Sequence, residues 1–296
     1  MRYLLTTLLL LPVLLSAQEL HTFENGEVAD ADKINENFQT LDSGLQELQS
    51  SVDTSEVLVN CEDDSSALQT ALNEGGRNGL ARTFKVSGTC EMDLYTGIFH
   101  LTTIYSTDGA TLKPGQQPQG FFLLQPGYGG HLSLSGLTLI DAYISANYNG
   151  IISLNTVSFQ RDQFGAQIEA NRGAAIVTFG EILVSDSLDA LTINASTGSS
   201  VAIRSRKGTF RLSLSNGSSA ECRVCSGNHF TWLAVQGNSS FSGADSQEQH
   251  LSIDQLSVGN NSSFIQTSGA CNAAPYNTNE AVDASSIITV LGNPTC

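Results

Sequence analysis

Short blocks of alternating apolar and polar residues recur between residues 193 and 264. Each block begins with two apolar residues separated by one residue. A turn containing Gly or Asn, a Ser-Ser pair and a last residue follow, and this last residue is expected on the same face as the two apolar residues. The blocks are Ile193–Val201, Leu212–Ala220, Leu233–Phe241 and Leu256–Phe264. Their last residues follow one another after 19, 21 and 23 positions. This spacing is typical of one coil of a solenoid.

Each block predicts a bent β-strand. Alternation places residues such as Leu212 and Leu214 on one face, and Gly or Asn supplies the left-handed backbone at the corner. If each block is one coil, the last residues stack in the interior and the Ser-Ser pairs align along one edge, about 4.8 Å apart. The predicted interior stack is Val201, Ala220, Phe241 and Phe264.

Less regular coils precede these blocks at residues 132–139, 151–159 and 175–184. At about 22 residues a coil, the stretch from Phe84 to Val290 predicts about nine coils. The segment from Gly115 to Gly130 is rich in Pro and Gly, so we predict a long excursion from one corner there.

The N-terminus indicates export. Residues 1–17 have a positive start at Arg2, an apolar core from Leu8 to Leu15 and a small-residue end, which predicts a secretory signal. The apolar run is too short for a transmembrane anchor, which needs about 18 or more apolar residues. We therefore expect an exported protein located in the periplasm, at the cell surface or outside the cell.

A helical stalk is predicted over residues 18–58. Apolar residues step by 4, 3, 4, 3 and 4 positions, which is the a/d seam of a coiled coil and favours a homo-oligomer, most simply a trimer. They are Ile34, Phe38, Leu41, Leu45, Leu48 and Val52. A single amphipathic helix lying on its own domain is the alternative. Residues 50–60 are predicted to be a polar link.

The segment Phe23–Leu41 resembles one found after the signal in exported bacterial surface proteins and tail-fibre-like proteins. That resemblance implies a helical, oligomerising stalk ahead of a repetitive β domain.

The β domain is predicted to span residues 59–296 and to open with a short helix. Asp64 or Ser65 would cap that helix, Leu68, Ala71 and Leu72 would lie on one face, and Gly75-Gly76 would end it. A strand over residues 83–90 and a run at 101–112 ending in Asp-Gly-Ala-Thr-Leu follow. In this order they resemble the opening of right-handed parallel β-helix proteins of the pectate-lyase-like superfamily. The resemblance implies that the helix plugs the open end of the solenoid.

Six cysteines, an even number, fit an exported protein. Pairing of neighbours predicts the disulfides Cys61–Cys90 and Cys271–Cys296. Cys222 and Cys225 form a Cys-x-x-Cys for which we favour a structural role, although a redox pair or half of a metal site is the alternative.

No catalytic, cofactor-binding or metal-binding signature is found in the sequence. The five histidines are scattered singly. One cluster stands out, because Asp186 and Asp189 could lie one coil from Arg204 and Arg206. A solvated set of surface charges is the plainer interpretation, and a cleft for acid/base chemistry on a polysaccharide is the functional one.

The formal net charge of −16 disfavours nucleic acid or anionic lipid as a partner. Two functions remain open. The first is an exported, non-catalytic β-helix, part of a surface or fibre-like assembly that binds surface glycans. The second is a divergent polysaccharide lyase or glycoside hydrolase, which many β-helix relatives are.

Overall fold

The computed structural model describes Gln39 and residues 56–75, 82–98, 101–115, 121–186, 188–223, 227–244, 252–267 and 286–291. The chain divides into two units, Met1–Asp53 and Thr54–Cys296. Of the first unit only Gln39, a helical residue, is described. The predicted signal, stalk and Cys271–Cys296 disulfide lie outside the described residues.

The second unit is built almost wholly of short strands. In chain order they begin with β1 (Glu56–Asn60), helix α1 (Ala67–Gly75), β2 (Arg82–Ser87), β3 (Thr89–Met92), β4 (Tyr95–Ile98), β5 (Leu101–Tyr105), β6 (Thr111–Pro114), β7 (Phe122–Pro126), β8 (His131–Ser135), β9 (Thr138–Ile140), β10 (Ala142–Asn147) and β11 (Ile151–Gln160). They continue with β12 (Gln167–Asn171), β13 (Ala175–Val184), β14 (Leu191–Ser196), β15 (Ser200–Ile203), β16 (Gly208–Leu214), β17 (Ser219–Cys222), β18 (Asn228–Val235), β19 (Ser240–Ala244), β20 (Ser252–Ile253), β21 (Leu256–Val258), β22 (Ser263–Thr267) and β23 (Ile287–Leu291).

The strands form a parallel β-solenoid of about eight turns. The first sheet, sheet A, runs β1-β2-β5-β8-β11-β13-β15-β17-β19-β22-β23, with β3, β6 and β9 in a side branch. The second, sheet B, runs β4-β7-β10-β12-β14-β16-β18-β20, with β21 beside β18. The ladders are parallel, as in β10 with β12 and β15 with β17. The predicted parallel β-helix is confirmed.

The predicted interior stack is also confirmed. Val201 pairs with Ala220, Ala220 with Phe241, and Phe241 with Phe264, and all four are buried. The rings of Phe241 and Phe264 stack with centroids 5.4 Å apart. The second serines of the Ser-Ser pairs lie in register along the same ladder.

One corner turns through two consecutive left-handed residues in seven coils. These pairs are Tyr128-Gly129, Tyr148-Asn149, Arg172-Gly173, Thr197-Gly198, Asn216-Gly217, Gly237-Asn238 and Asn260-Asn261. The second residue of a pair donates its amide to the next coil, as Gly129 N does to Tyr148 O at 3.1 Å. Gly and Asn dominate the regular coils because they tolerate positive φ.

Helix α1 packs against β1, β3 and β4, at the N-terminal end of the solenoid. Leu68 and Leu72 are buried and belong to the core cluster, so the predicted capping helix is confirmed. Asp64 Oδ1 accepts a hydrogen bond from Ser66 N at 2.9 Å, just before the helix begins. The predicted Cys61–Cys90 disulfide is present beside this cap, and Cys222 is also disulfide-bonded.

Two predictions about coil boundaries were wrong. The polar link contains β1, which pairs with β2 as the first strand of sheet A. The supposed excursion between Gly115 and Gly130 contains β7, whose Phe122 and Leu124 point into the core. In both stretches the alternation is short and is flanked by turn residues, so the flanks hid the strand. The described residues contain no helix with the length and apolarity needed to span a bilayer.

Candidate functional site

An open groove of about 610 Å³ lies on the outer side of sheet B. Its floor is a ladder of outward residues from consecutive coils. Tyr143 pairs with Gln167, Gln167 with Thr192, and Thr192 with Arg211. Because parallel strands stack about 4.8 Å apart, the floor offers one side chain per coil along the solenoid axis.

Aromatic and aliphatic side chains form one wall of the groove. Phe121 meets the ring of Tyr143 edge to face, with centroids 5.1 Å apart. Phe164 is 52% exposed and lines the same groove together with Leu188. Exposed aromatic rings gathered in a concave site are typical of ligand-binding surfaces.

Asp141 organises the loop that carries Phe164. Its carboxylate is buried and accepts four backbone N–H donors, from Asp162 at 3.1 Å, Gln163 at 2.8 Å, Phe164 at 2.9 Å and Gly165 at 2.7 Å. Every amide from residue 162 to residue 165 is therefore tied to one side chain. These four hydrogen bonds order the loop, so that it forms a fixed wall of the groove.

Burial alone would raise the pKa of Asp141, but the four backbone hydrogen bonds outweigh it and lower the pKa below its ordinary value. The carboxylate is thus ionised at neutral pH, where it accepts these bonds most strongly.

A hydrogen bond to the neighbouring coil fixes the side chain of Tyr143. Its hydroxyl donates to a carboxylate oxygen of Glu169, which lies on the adjacent strand β12. Burial, together with this hydrogen bond and the charge of Glu169, raises the pKa of Tyr143 to about 12. The phenol therefore stays protonated at neutral pH and serves as a fixed polar group.

The charged groups that line the groove are Arg161, Asp189 and Arg211, all exposed. The guanidinium of Arg211 lies over the ring of Trp232, 5.3 Å from its centroid. Such stacking fixes a guanidinium plane while leaving its edge N–H groups available to a ligand.

The structure separates the candidate charges that the sequence had grouped. Asp189 lines the groove, and Asp186 is exposed outside it. Arg204 lies over the ring of Phe179 at 5.9 Å, and the amide of Arg206 donates to Gly180 O. No ion pair joins either aspartate to either arginine among these described residues. Asp189 instead shares the groove with Arg161 and Arg211.

Strict strand alternation would place Lys207 on the opposite face from Arg204 and Arg206, but the structure does not follow it here. Strand β15 ends at Ile203, and beyond it Arg204, Arg206 and Lys207 are all exposed, Ser205 is buried and Lys207 forms an isolated bridge with Glu181. Alternation applies only within a strand.

Sequence reasoning missed the aromatic residues of the groove, Phe121, Tyr143 and Phe164. They lie where the coil spacing drifts, outside the regular blocks. The available signal was the large outward residues, since Tyr143 sits between buried Ala142 and Ile144 in an alternating strand.

A second exposed feature is a stack of side chains at the corner with left-handed backbone. Tyr128 and Tyr148 stack in parallel with centroids 4.5 Å apart, and the guanidinium of Arg172 lies 4.6 Å from the centre of the Tyr148 ring. Tyr128 is 77% exposed. This corner lies at the C-terminal ends of the sheet B strands, and none of these three side chains lines the groove.

Within the described part of the chain, no group of three or more His, Cys, Asp or Glu side chains is placed to hold a metal ion. Comparison of the chain with family models, with curated proteins and with solved structures finds no match.

Proposed function

We propose that this protein is an exported, non-catalytic β-helix scaffold that binds a glycan in the groove of sheet B. The observation that carries the proposal is that three aromatic side chains, Phe121, Tyr143 and Phe164, line the same groove as the polar floor residues Gln167, Thr192 and Arg211. A sugar ring has an apolar C–H face and a rim of hydroxyls, so it needs both kinds of surface.

The shape of the groove also supports a chain-like ligand. The floor repeats in steps of about 4.8 Å along the solenoid axis, so successive sugar units of an extended glycan can meet successive coils. Ordered aromatic groups with a few fixed polar groups are the usual composition of a small-molecule site.

Binding is favoured over cleavage by the chemistry of the groove. Hydrolysis of a glycosidic bond normally uses two carboxyl groups on opposite sides of the bond. The described lining residues include one, Asp189. Elimination needs a base that is poised near the working pH, and the raised pKa of Tyr143 moves that phenol away from it. The enzyme alternative would depend on Asp189 with Arg161 and Arg211.

Export and assembly are supported by sequence patterns. The N-terminal 17 residues have the pattern of a signal, and the heptad stripe up to Val52 supports a homo-oligomer, most simply a trimer. The resemblance of the N-terminal region of the β domain to the pectate-lyase-like superfamily supports an extracellular carbohydrate ligand, although fold alone does not carry function.

A glycan-array screen of the mature protein tests the proposal. We expect binding to a defined set of oligosaccharides, with Phe121→Ala or Arg211→Ala weakening it about ten-fold or more, as loss of a central contact does. Tyr128→Ala is the matched control, because it removes an exposed aromatic outside the groove and should leave binding unchanged.

A product assay on the same glycans separates the two functions. Reducing ends or unsaturated products that form with the wild type and are lost in a folded Asp189→Asn variant would establish the enzyme. Absence of any glycan ligand on the array would remove the proposal.

A further inference from the structure

Part of the outward side of sheet A carries no acidic, lysine or arginine side chain. It consists of the outward positions of β5, β8, residues 151–155 of β11, residues 175–179 of β13, and β15, and we call it the uncharged face. Successive strands are in register across it, as His131 with Ile151, Ile151 with Ala175, and Ser153 with Val177. Its central residues are His131, Ile151, Ser153, Ala175, Val177 and Ala202, all half-buried by their neighbours.

Charges return at both ends of this surface and beside it, where Glu181 lies two residues beyond Phe179 on β13 and the Arg204 guanidinium lies 5.9 Å from the centre of the Phe179 ring. On one side β2 presents Lys85, which pairs in register with Tyr105 of β5. On the other side Glu221 of β17 pairs in register with Ala202 and forms an ion pair with Arg223. The uncharged face is therefore a bounded patch on a chain whose net charge is −16.

The one titratable side chain near the centre of the face does not add charge. His131 Nε2 lies 2.9 Å from Ser153 Oγ of the neighbouring coil. Burial lowers the pKa of His131, so the ring is neutral at neutral pH. The outward side chains of the face are thus uncharged at neutral pH.

We propose that the uncharged face is the surface through which one copy of this chain packs against a second copy. The inference rests on the homo-oligomer of the proposed function and does not depend on the glycan. Two chains with a large charge of the same sign repel each other over most of their surfaces. Contact through this face is the arrangement that keeps those charges apart.

The size of the face indicates how strong this contact is. Five strands about 4.8 Å apart and five residues of about 3.3 Å each give a patch of roughly 24 by 16 Å, about 400 Å² in plan. A standard stable interface buries about 800 Å² on each partner. The face alone therefore supports weak association and needs a second contact in the same assembly.

The chain that precedes β1 can supply that second contact. Apart from Gln39, residues before Glu56 lie outside the described residues, and their sequence carries the 4-3 apolar stripe that predicts a coiled coil. A short coiled coil is itself marginal in isolation. Two weak contacts in one assembly reinforce each other through effective concentration, so each should be necessary.

Sedimentation equilibrium of the full mature chain tests the proposal. Val177→Arg places a charge at the centre of the face, and we expect it to weaken association about ten-fold or more. Asn194→Arg is the matched control, because Asn194 is an equally half-buried outward residue on β14 of sheet B. The control should associate like the wild type.

Three outcomes would overturn the proposal. They are a wild-type chain that is monomeric at micromolar concentration, a Val177→Arg variant that keeps wild-type association and circular dichroism, and a control that dissociates as readily as Val177→Arg. If Val177→Arg fails to fold, Ala202→Arg replaces it on the next strand and must show the same loss. Glycan binding is measured on the same samples, so failure of the assembly and failure of the groove are separately visible.

Discussion

The buried serine ladder of the regular coils gives a sharp stability prediction. Ser218, Ser239 and Ser262 are each 1% exposed and occupy the first position of successive Ser-Ser pairs. Ser262 Oγ accepts a hydrogen bond from Ser239 N at 3.1 Å, and Ser239 Oγ accepts one from Ser218 N at 3.2 Å. Removing an oxygen from this ladder leaves a buried backbone donor to find another acceptor.

The backbone amides of Ser218 and Ser239 differ in whether a second hydrogen-bond acceptor is available to them. Ser218 N also donates to Ser215 O at 3.3 Å, so it keeps a partner in Ser239→Ala. Ser239 N has no second acceptor among the described residues, so Ser262→Ala leaves it unsatisfied. A lost hydrogen bond costs about 1 kcal/mol, and a stranded buried donor costs about 1–3 kcal/mol. We therefore expect Ser262→Ala to lower the free energy of unfolding by about 2 kcal/mol and Ser239→Ala by about 1 kcal/mol.

Urea titration followed by tryptophan fluorescence measures both values. The chain has a single tryptophan, Trp232, on β18, in the same stretch of coils. Ser240→Ala is the matched control, because Ser240 is the exposed second serine of its pair, and exposed substitutions usually change stability by less than about 0.5 kcal/mol. A loss in Ser239→Ala that equals or exceeds the loss in Ser262→Ala would refute the reasoning, as would a Ser262→Ala variant no weaker than the control.

Three further predictions concern the ends, the groove wall and the assembly. Cys61→Ser should lower the free energy of unfolding by about 3–4 kcal/mol in the chain-entropy model, for a sequence separation of 29, and a reductant should erase the difference from wild type. Asp141→Asn should lower the urea midpoint at neutral pH. Because folding lowers the pKa of Asp141, its contribution is present above about pH 4 and is lost as the pH falls through the folded pKa, so the two curves should converge in acid. A constant difference down to low pH would contradict this. Leu45→Asp should reduce the mass seen by light scattering, and an unchanged mass would remove the coiled coil from the assembly.

The interior of the solenoid could be predicted from the sequence because burial constrains it directly. Val201, Ala220, Phe241 and Phe264 must face inward in every coil, so their spacing is regular enough to read. The corner residues could also be predicted from the sequence, because a positive φ restricts them to a few residue types. The capping helix followed from its own apolar face.

Coil boundaries were harder wherever a strand was short and surrounded by turn residues. Strand β7 has five residues and ends at Pro126, with prolines and glycines before it and glycines after it. Propensity favours a loop there, but Phe122 and Leu124 are buried, Phe122 pairs with Ala142 of β10, and Leu124 pairs with both β4 and β10. Tertiary packing overrides local preference in such a segment.

The grouping of Asp186 and Asp189 with Arg204 and Arg206 failed for a different reason. Sequence distance suggested that these charges lay one coil apart, which is correct for the solenoid axis. The distance in sequence does not show which side of the coil each charged side chain faces. Asp189 follows β13 at the corner that leads into sheet B, whereas Arg204 folds back over Phe179.

The groove forms where the repeat is interrupted, and this explains why periodicity did not reveal it. The segments that join the β9–β11–β13 side of the coil to sheet B are residue 141 alone, residues 161–166 and residues 185–190 in successive coils. The core does not depend on their length, so they can vary without disturbing the stack of buried residues. That freedom lets them build a wall above the floor, held by Asp141 and its four backbone donors. A regular pattern reports the positions that the core constrains, while ligand contacts come from the outward residues and loops that it leaves free.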